Sequence, residues 1–169
     1  MRPSAFTEVS EEVSISRMTE HDLIEVVEIE ERAGLSRWGW AAYYAELQGN
    51  HPSFMLVARL RRPLEQGKTY DLAGYIVARL VAGELHINNV AVRDEYRRRE
   101  IGSTLVNHVL EEGKRAGAGI AFLEVRAGNS IAQALYEKCG FQPIGTRRNY
   151  YFEPVEDALV MSAQLQSEA

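Results

Sequence analysis

Leu85-His86-Ile87-Asn88-Asn89-Val90-Ala91-Val92 runs through Arg93-Asp94-Glu95-Tyr96 into Arg97-Arg98-Arg99-Glu100-Ile101-Gly102-Ser103-Thr104. The first part reads as a strand over Glu84 to Val92, rich in β-branched and apolar residues. Beyond it, Ile101, Leu105, Val109 and Leu110 recur at helical spacing, and Gly117 to Gly119 ends that helix. A strand therefore delivers the chain directly into a helix start. Such a start leaves about four backbone N–H groups unpaired and carries roughly half a positive charge. Gly102 lets a ligand come close to the backbone, and Arg97, Arg98 and Arg99 offer charge-assisted bonds to a phosphate. Together these features predict a pyrophosphate cradle. The plainer alternative is a helix start with a solvated basic face.

Working upstream, Glu84 to Val92 follows Leu72 to Val81 across a turn at Gly83, and Ser53 to Leu60 is the strand before that. Between them Arg61 to Asp71 is polar, carries Pro63 and Gly67, and reads as a hairpin loop. Two helices come earlier. One is capped by Thr19 with Asp22 three residues on, and places Leu23, Val26, Val27 and Glu30 on one face. The other covers Arg37 to Gln48. Val13, Ile15 and Met18 mark a first strand, and Met1 to Glu12 reads as a loose tail.

Downstream, Ile120 to Val125 is a short, mostly apolar strand, expected to be buried on both faces. Ile131 to Cys139 is a helix closed by Gly140. Phe141 to Arg148 and Asp157 to Ala163 are the last strands. The order β-α-α-β-β-β-α-β-α-β-β predicts one α+β domain over residues 13–165. Its single mixed, mostly antiparallel sheet is flanked by helices and contains a βαβ crossover.

Composition agrees with one globular domain. Among 169 residues 46% are hydrophobic and 25% charged. The net charge of -5 argues against nucleic acid as a partner. No apolar run is long enough for a membrane span, the first twelve residues do not read as a signal peptide, and a single cysteine fits a reducing compartment. A cytoplasmic protein is the expectation. His21, His51, His86 and His108 lack ligand spacing, so no metal is expected. Cys139, without a Cys-x-x-Cys partner, reads as core.

Two ionisable residues stand out. Glu124 lies on the same strand face as Ile120 and Phe122. A carboxylate on an apolar strand is costly unless paired, and burial raises its pKa toward the range suited to a general base. The competing reading is an ion pair with Arg126 or Arg148, or a solvated strand end. Tyr136 shares a helix face with Ala132, Leu135 and Cys139. A core tyrosine is the plain reading, yet its hydroxyl needs a partner, and a phenol with a pKa near 10 stays protonated and can donate to sulfur.

The run Arg97-x-x-Glu100-x-Gly102 resembles the acetyl-CoA motif of the GNAT acetyltransferases, Arg/Gln-x-x-Gly-x-Gly/Ala, with Glu100 where that family has its first glycine. Leu123-Glu124-Val125-Arg126-Ala127-Gly128-Asn129-Ser130, Ala134 to Phe141 and Arg147-Arg148-Asn149-Tyr150-Tyr151 are similar to the RimI-type enzymes of that superfamily. The likeness spans roughly Val13 to Leu165. It implies a GNAT fold and transfer of an acetyl group from acetyl-CoA to a protein N-terminus, namely the N-terminal alanine of a small-subunit ribosomal protein. It also implies Glu124 as general base and Tyr136 as general acid. For coenzyme A it implies binding by Val90, Ala91 and Val92 through their backbones, by Arg97 to Ser103 at the helix start, and by Asn129. Trp38, Tyr150 and Tyr151 fall near the peptide groove, although for Trp38 and Trp40 core packing is the alternative. The side chain of Glu100 is expected to point outward, its charge offset by the neighbouring arginines.

The chemistry favours an α-amine. Only a neutral amine attacks a thioester. Near pH 7 about 10% of a terminal amine is neutral, against ~0.04% of a lysine. A GNAT enzyme acting on a lysine or a small amine, and a non-catalytic acyl-CoA-binding module, remain the alternatives.

Overall fold

The computed structural model describes residues 13–35, 37–61 and 70–166. The tail expected over Met1 to Glu12 and most of the loop expected over Arg61 to Asp71 lie outside them. Seven strands, β1 (Val13–Arg17), β2 (Ser53–Arg61), β3 (Tyr70–Val81), β4 (Glu84–Val92), β5 (Ile120–Arg126), β6 (Gln142–Tyr151) and β7 (Glu156–Gln164), form one sheet in the order β1-β2-β3-β4-β5-β7-β6. Every pairing is antiparallel except β4 with β5. That pair is joined by α3 (Ile101–Arg115), the expected crossover. The remaining helices are α1 (Leu23–Ala33), α2 (Gly39–Gln48) and α4 (Ser130–Lys138).

Local chemistry explains the boundaries. Thr19 and Asp22 form the expected capping box on a short 3₁₀ turn leading into α1, with the Thr19 N–H donating to Asp22 Oδ2 at 2.8 Å. The helix stops at Gly34, whose φ of +67° is a left-handed conformation that glycine adopts without strain. α2 begins at Gly39 rather than at Arg37, because the N–H groups of Trp38 and Gly39 are bound by the Glu30 carboxylate.

The helices divide between the two sheet faces. Under α1 and α2 lie Leu23, Val26, Ile29, Tyr43, Met55, Val57, Leu72, Tyr75, Val77 and Ala91. Under α3 and α4 lie Leu56, Ile76, Leu85, Ile87, Ile101, Leu105, Leu123, Val125, Tyr136 and Met161, among others. Each fully buried Val, Leu, Ile or Met among them contributes about 1.5–3 kcal/mol. β2 and β3 feed both layers and are the doubly buried strands. β5 is not, contrary to its apolar sequence. Ala121, Leu123 and Val125 are buried, whereas Ile120, Phe122 and Arg126 are half-buried and Glu124 is exposed. None of the described residues packed beneath α1 and α2 comes from β5.

One irregularity positions everything that follows. The β3–β4 register passes from Ala78↔Ile87 to Val77↔Asn89, so Asn88 is an extra residue on β4. A bulge of one residue switches the faces of the side chains after it. Leu85 and Ile87 point toward α3, but Asn89 and Ala91 pack beneath α1 and α2, and Val90 and Val92 take over the α3 side.

Candidate active site

β4 and β5 pair only from Glu84↔Ile120 to Ile87↔Leu123. Immediately past those residues the strands part. Asn89 to Val92 keep their partners on β3, from Val77 to Gly74, and have no strand partner on the other edge among the described residues. An open strand edge can exchange main-chain hydrogen bonds with an extended amide-bearing ligand. Val90 and Val92 thus serve as packing side chains while their backbones border the fork.

α3 opens at the end of the arginine-rich turn. Arg98 and Glu100 hold φ values of +64° and +59°, the region that favours glycine, so Glu100 occupies a glycine-like position at the helix N-cap. Its side chain does point outward, yet the charge that offsets it is Lys138 at the end of α4 and not an arginine. The Lys138 ammonium holds the Glu100 carboxyl below the usual carboxylate range. Arg97 pairs with Asp94 at 3.1 Å, and the guanidinium of Arg99 lies 5.4 Å from the centre of the Tyr96 ring. Ser103 Oγ donates to the Glu100 carbonyl at 3.0 Å. Ile101 is core. The absence of a side chain at Gly102 serves packing: an added Cβ would lie 2.7 Å from Leu135 of α4. α4 therefore rests on the opening of α3 and carries Tyr136 there.

Glu124 follows Leu123, the last β5 residue paired with β4. The burial expected for it is not found, since its side chain keeps 32% of its surface. Nor are its partners Arg126 or Arg148. Arg147 Nε lies 3.1 Å from Oε1, and the Tyr150 hydroxyl donates to Oε2 at 2.9 Å. Both come from β6, reached across β7. Tyr151 stands edge-on to Tyr150, ring centres 5.1 Å apart, beneath the Arg126 guanidinium at 4.4 Å. Burial, then the neighbouring Tyr150, pushes the Tyr151 phenol up to about 12. Burial also raises Tyr150, with the bond to Glu124 second.

Tyr136 is buried against Phe141, and its phenol is raised by that burial and then by Tyr151 and Cys139. Its hydroxyl is hydrogen-bonded to no other described residue. Glu124, Tyr150 and Tyr151 thus form one continuous group, while Tyr136 belongs to the α3–α4 layer. Asn129 caps α4, its Oδ1 accepting from the Ala132 N–H at 3.1 Å. Cys139 is half-buried in the α3–α4 layer, where burial raises its thiol.

The structure also brings together residues that the sequence reading left apart. Glu30, 1% exposed, accepts from the Trp38 N–H at 2.7 Å, the Gly39 N–H at 3.1 Å and the Tyr43 hydroxyl at 2.8 Å. Tyr43 in turn meets the Tyr75 hydroxyl and Asn89 Nδ2, each at 2.8 Å. Trp38 lies 5.4 Å from the Tyr43 ring and 5.3 Å from the Arg79 guanidinium, which Glu46 holds. A glutamate on the apolar face of α1 was the available signal.

A fork of this kind suits a long, thin, amide-bearing thioester better than a compact ligand. The signature of the acetyltransferase (GNAT) family matches residues 23–141, and the chain belongs to that family; it is an acetyl-CoA-dependent N-acetyltransferase. More particularly, it is similar to enzymes named for one activity. It is 32% identical over 151 residues to the [ribosomal protein bS18]-alanine N-acetyltransferase of Escherichia coli K12, covering 88% of this chain and 95% of that one. It is 31% identical over 158 residues to the N-alpha-acetyltransferase RimI of Mycobacterium tuberculosis, covering 90% and 92%. The crystal structure of the Escherichia coli ribosomal-protein-S18-alanine N-acetyltransferase matches with a TM-score of 0.76 at 31% identity, covering 94% of this chain and 97% of that one. Arabidopsis thaliana NAA60, solved with acetyl-CoA, shares the fold at 18% identity, with a TM-score of 0.82 and coverage of 90% and 98%.

Proposed function

We propose that this enzyme acetylates the α-amine of a protein N-terminus, with the N-terminal alanine of a small-subunit ribosomal protein as acceptor, Glu124 as base and Tyr136 as acid. The observation that carries this reading is that β4 and β5 cease pairing at Leu123, so Glu124 borders the same fork as the open edge of Asn89 to Val92. The names of the relatives supply the acceptor class.

The diphosphate of the co-substrate would lie on the amides opening α3, with Arg97 to Arg99 nearby and Asn129 toward the arm. The neutral acceptor amine attacks the thioester carbonyl. A C–N bond forms, and the C–S bond breaks as the tetrahedral intermediate collapses. Glu124 takes the proton lost by nitrogen, directly or through one water, and returns it to solvent. The leaving thiolate accepts a hydrogen bond from Tyr136. The thiolate of a thiol with a pKa near 8.5 is a weaker base than this buried phenolate. Tyr136 therefore stabilises the thiolate chiefly as a donor, and the proton it lends is restored from solvent. An open Glu124 suffices because a terminal amine with a pKa near 8 needs little help. Tyr150, Tyr151 and Trp38 would border the peptide.

Labelled acetyl-CoA, offered with peptides that begin in alanine and with blocked peptides carrying only lysines, tests the reading. Label on the free α-amine is expected, with kcat/KM rising as pH passes through about 8. Label confined to lysines or small amines would overturn it. Tight coenzyme binding without turnover on any amine would favour a binding module.

A further inference from the structure

We infer that the side-chain carbonyl of Asn89 receives the acceptor's amine at the fork, and that Glu30 and Tyr43 are positioning residues that fix which end of the Asn89 amide faces it. This rests on the amine-acetylating reading above and adds a contact to it.

The argument is a count of protons. A carboxylate only accepts, and Glu30 takes two backbone N–H groups and the Tyr43 hydroxyl. Burial raises Tyr43 and Tyr75, so each phenol keeps its one proton. The Tyr43 hydroxyl donates its one hydrogen bond to Glu30 and is left with lone pairs alone for its other two neighbours. Tyr75 donates to one, and Asn89 Nδ2 to the other at 2.8 Å. An Asn89 amide turned the other way would set its carbonyl against a hydroxyl oxygen with no hydrogen left to offer. The amide orientation is thus dictated from Glu30, across three residues from three elements.

Asn89 Oδ1 is then the free end. It bonds to no other described residue, and although Asn89 as a whole is only 6% exposed, its oxygen is not among the completely sealed, unpaired side-chain oxygens of the described residues. The Asn88 bulge turns Asn89 to the α1–α2 face. Glu124 lies on that face too, because Leu123 and Val125 occupy the opposite one. Each arm of the fork therefore carries one acceptor just beyond the last shared pairing. A neutral primary amine has two N–H groups and one lone pair. With one N–H on Asn89 and one on Glu124, the lone pair is left for the thioester carbonyl. A neutral amide orients the nitrogen without adding a second negative charge, which would favour the unreactive ammonium.

The test compares, on the CoA-saturated protein, the Kd of a peptide beginning in alanine with that of its des-amino analogue, in which hydrogen replaces the terminal amine. The wild type is expected to prefer the amine by about tenfold or more. In Asn89→Ala that preference falls by about tenfold. In Tyr43→Phe, where the amide is free to turn, it falls by about threefold. CoA affinity should stay within about twofold in both, which reports an intact fold. A merely structural role would lower the affinity for both peptides and leave their ratio unchanged, and an unchanged ratio in Asn89→Ala overturns the inference alone. A wild type that does not discriminate the amine overturns the proposed function, and the inference with it.

Discussion

Two carboxylates on the same side of the sheet live under opposite conditions. Glu30 is sealed between α1 and α2 and is met by three donors from fixed parts of the chain. Glu124 stands open at the fork and is met by Arg147 and Tyr150, both exposed. The first cannot change partners without leaving buried N–H groups unsatisfied. The second can, since water and an acceptor compete on nearly equal terms with surface partners. A group that must trade a proton with a visiting amine belongs in the second setting. A group that must hold a wall in place belongs in the first.

The largest expected effect falls on the sealed carboxylate. Glu30→Ala should destabilise the protein by about 3–5 kcal/mol in urea unfolding, through two orphaned amides, one orphaned hydroxyl and a cavity. A loss under ~1 kcal/mol would erase the contrast. Glu124→Gln should leave stability within about 1 kcal/mol, yet lower kcat by ~100-fold, equivalent to about 2.7 kcal/mol of barrier, with coenzyme affinity preserved. An unchanged rate would remove Glu124 from the chemistry.

The tyrosines around each carboxylate sharpen the comparison further. All of Tyr43, Tyr75, Tyr136, Tyr150 and Tyr151 have raised phenols. A raised pKa means that the folded state favours the proton. The associated stability is complete below pH 10.0 and, for Tyr151, is lost as pH climbs toward about 12. Phenolate absorbance should therefore lag in the native protein, and Tyr43→Phe should remove a late-ionising phenol. The smallest effect is at Glu100. Glu100→Gly relieves a left-handed backbone and should raise Tm by about 2–4 °C, with coenzyme binding equal or tighter. Clearly weaker binding would mean that Lys138 needs its glutamate to seat α4 on α3.

The order of elements was legible because punctuation and periodicity agreed, as at Gly83, Gly140 and the Ile101-Leu105-Val109 spacing. The fate of Glu124 was not. Its exposure depends on where α1 and α2 stop across the sheet, which no residue near Glu124 encodes. Its partners lie 23 and 26 positions away in sequence on β6. Glu30 left a visible trace, a charge on an apolar face, but Tyr43 and Asn89 come from other elements. The extra residue at Asn88 left none, for Asn-Asn within a strand carries no glycine or proline to mark it.

That single inserted position has a consequence for anyone editing or transplanting this strand. Removing Asn88 would straighten the strand yet leave Asn89 and Val90 facing as they do now, because adjacent strand residues alternate. Keeping every residue but pairing the strand in an unbroken register would instead exchange the rooms that Asn89 and Val90 look into, turning an amide toward grease and a valine toward the reaction. A sequence alignment that slides a gap past this point would score well and assign every residue between Asn88 and the displaced gap to the wrong wall.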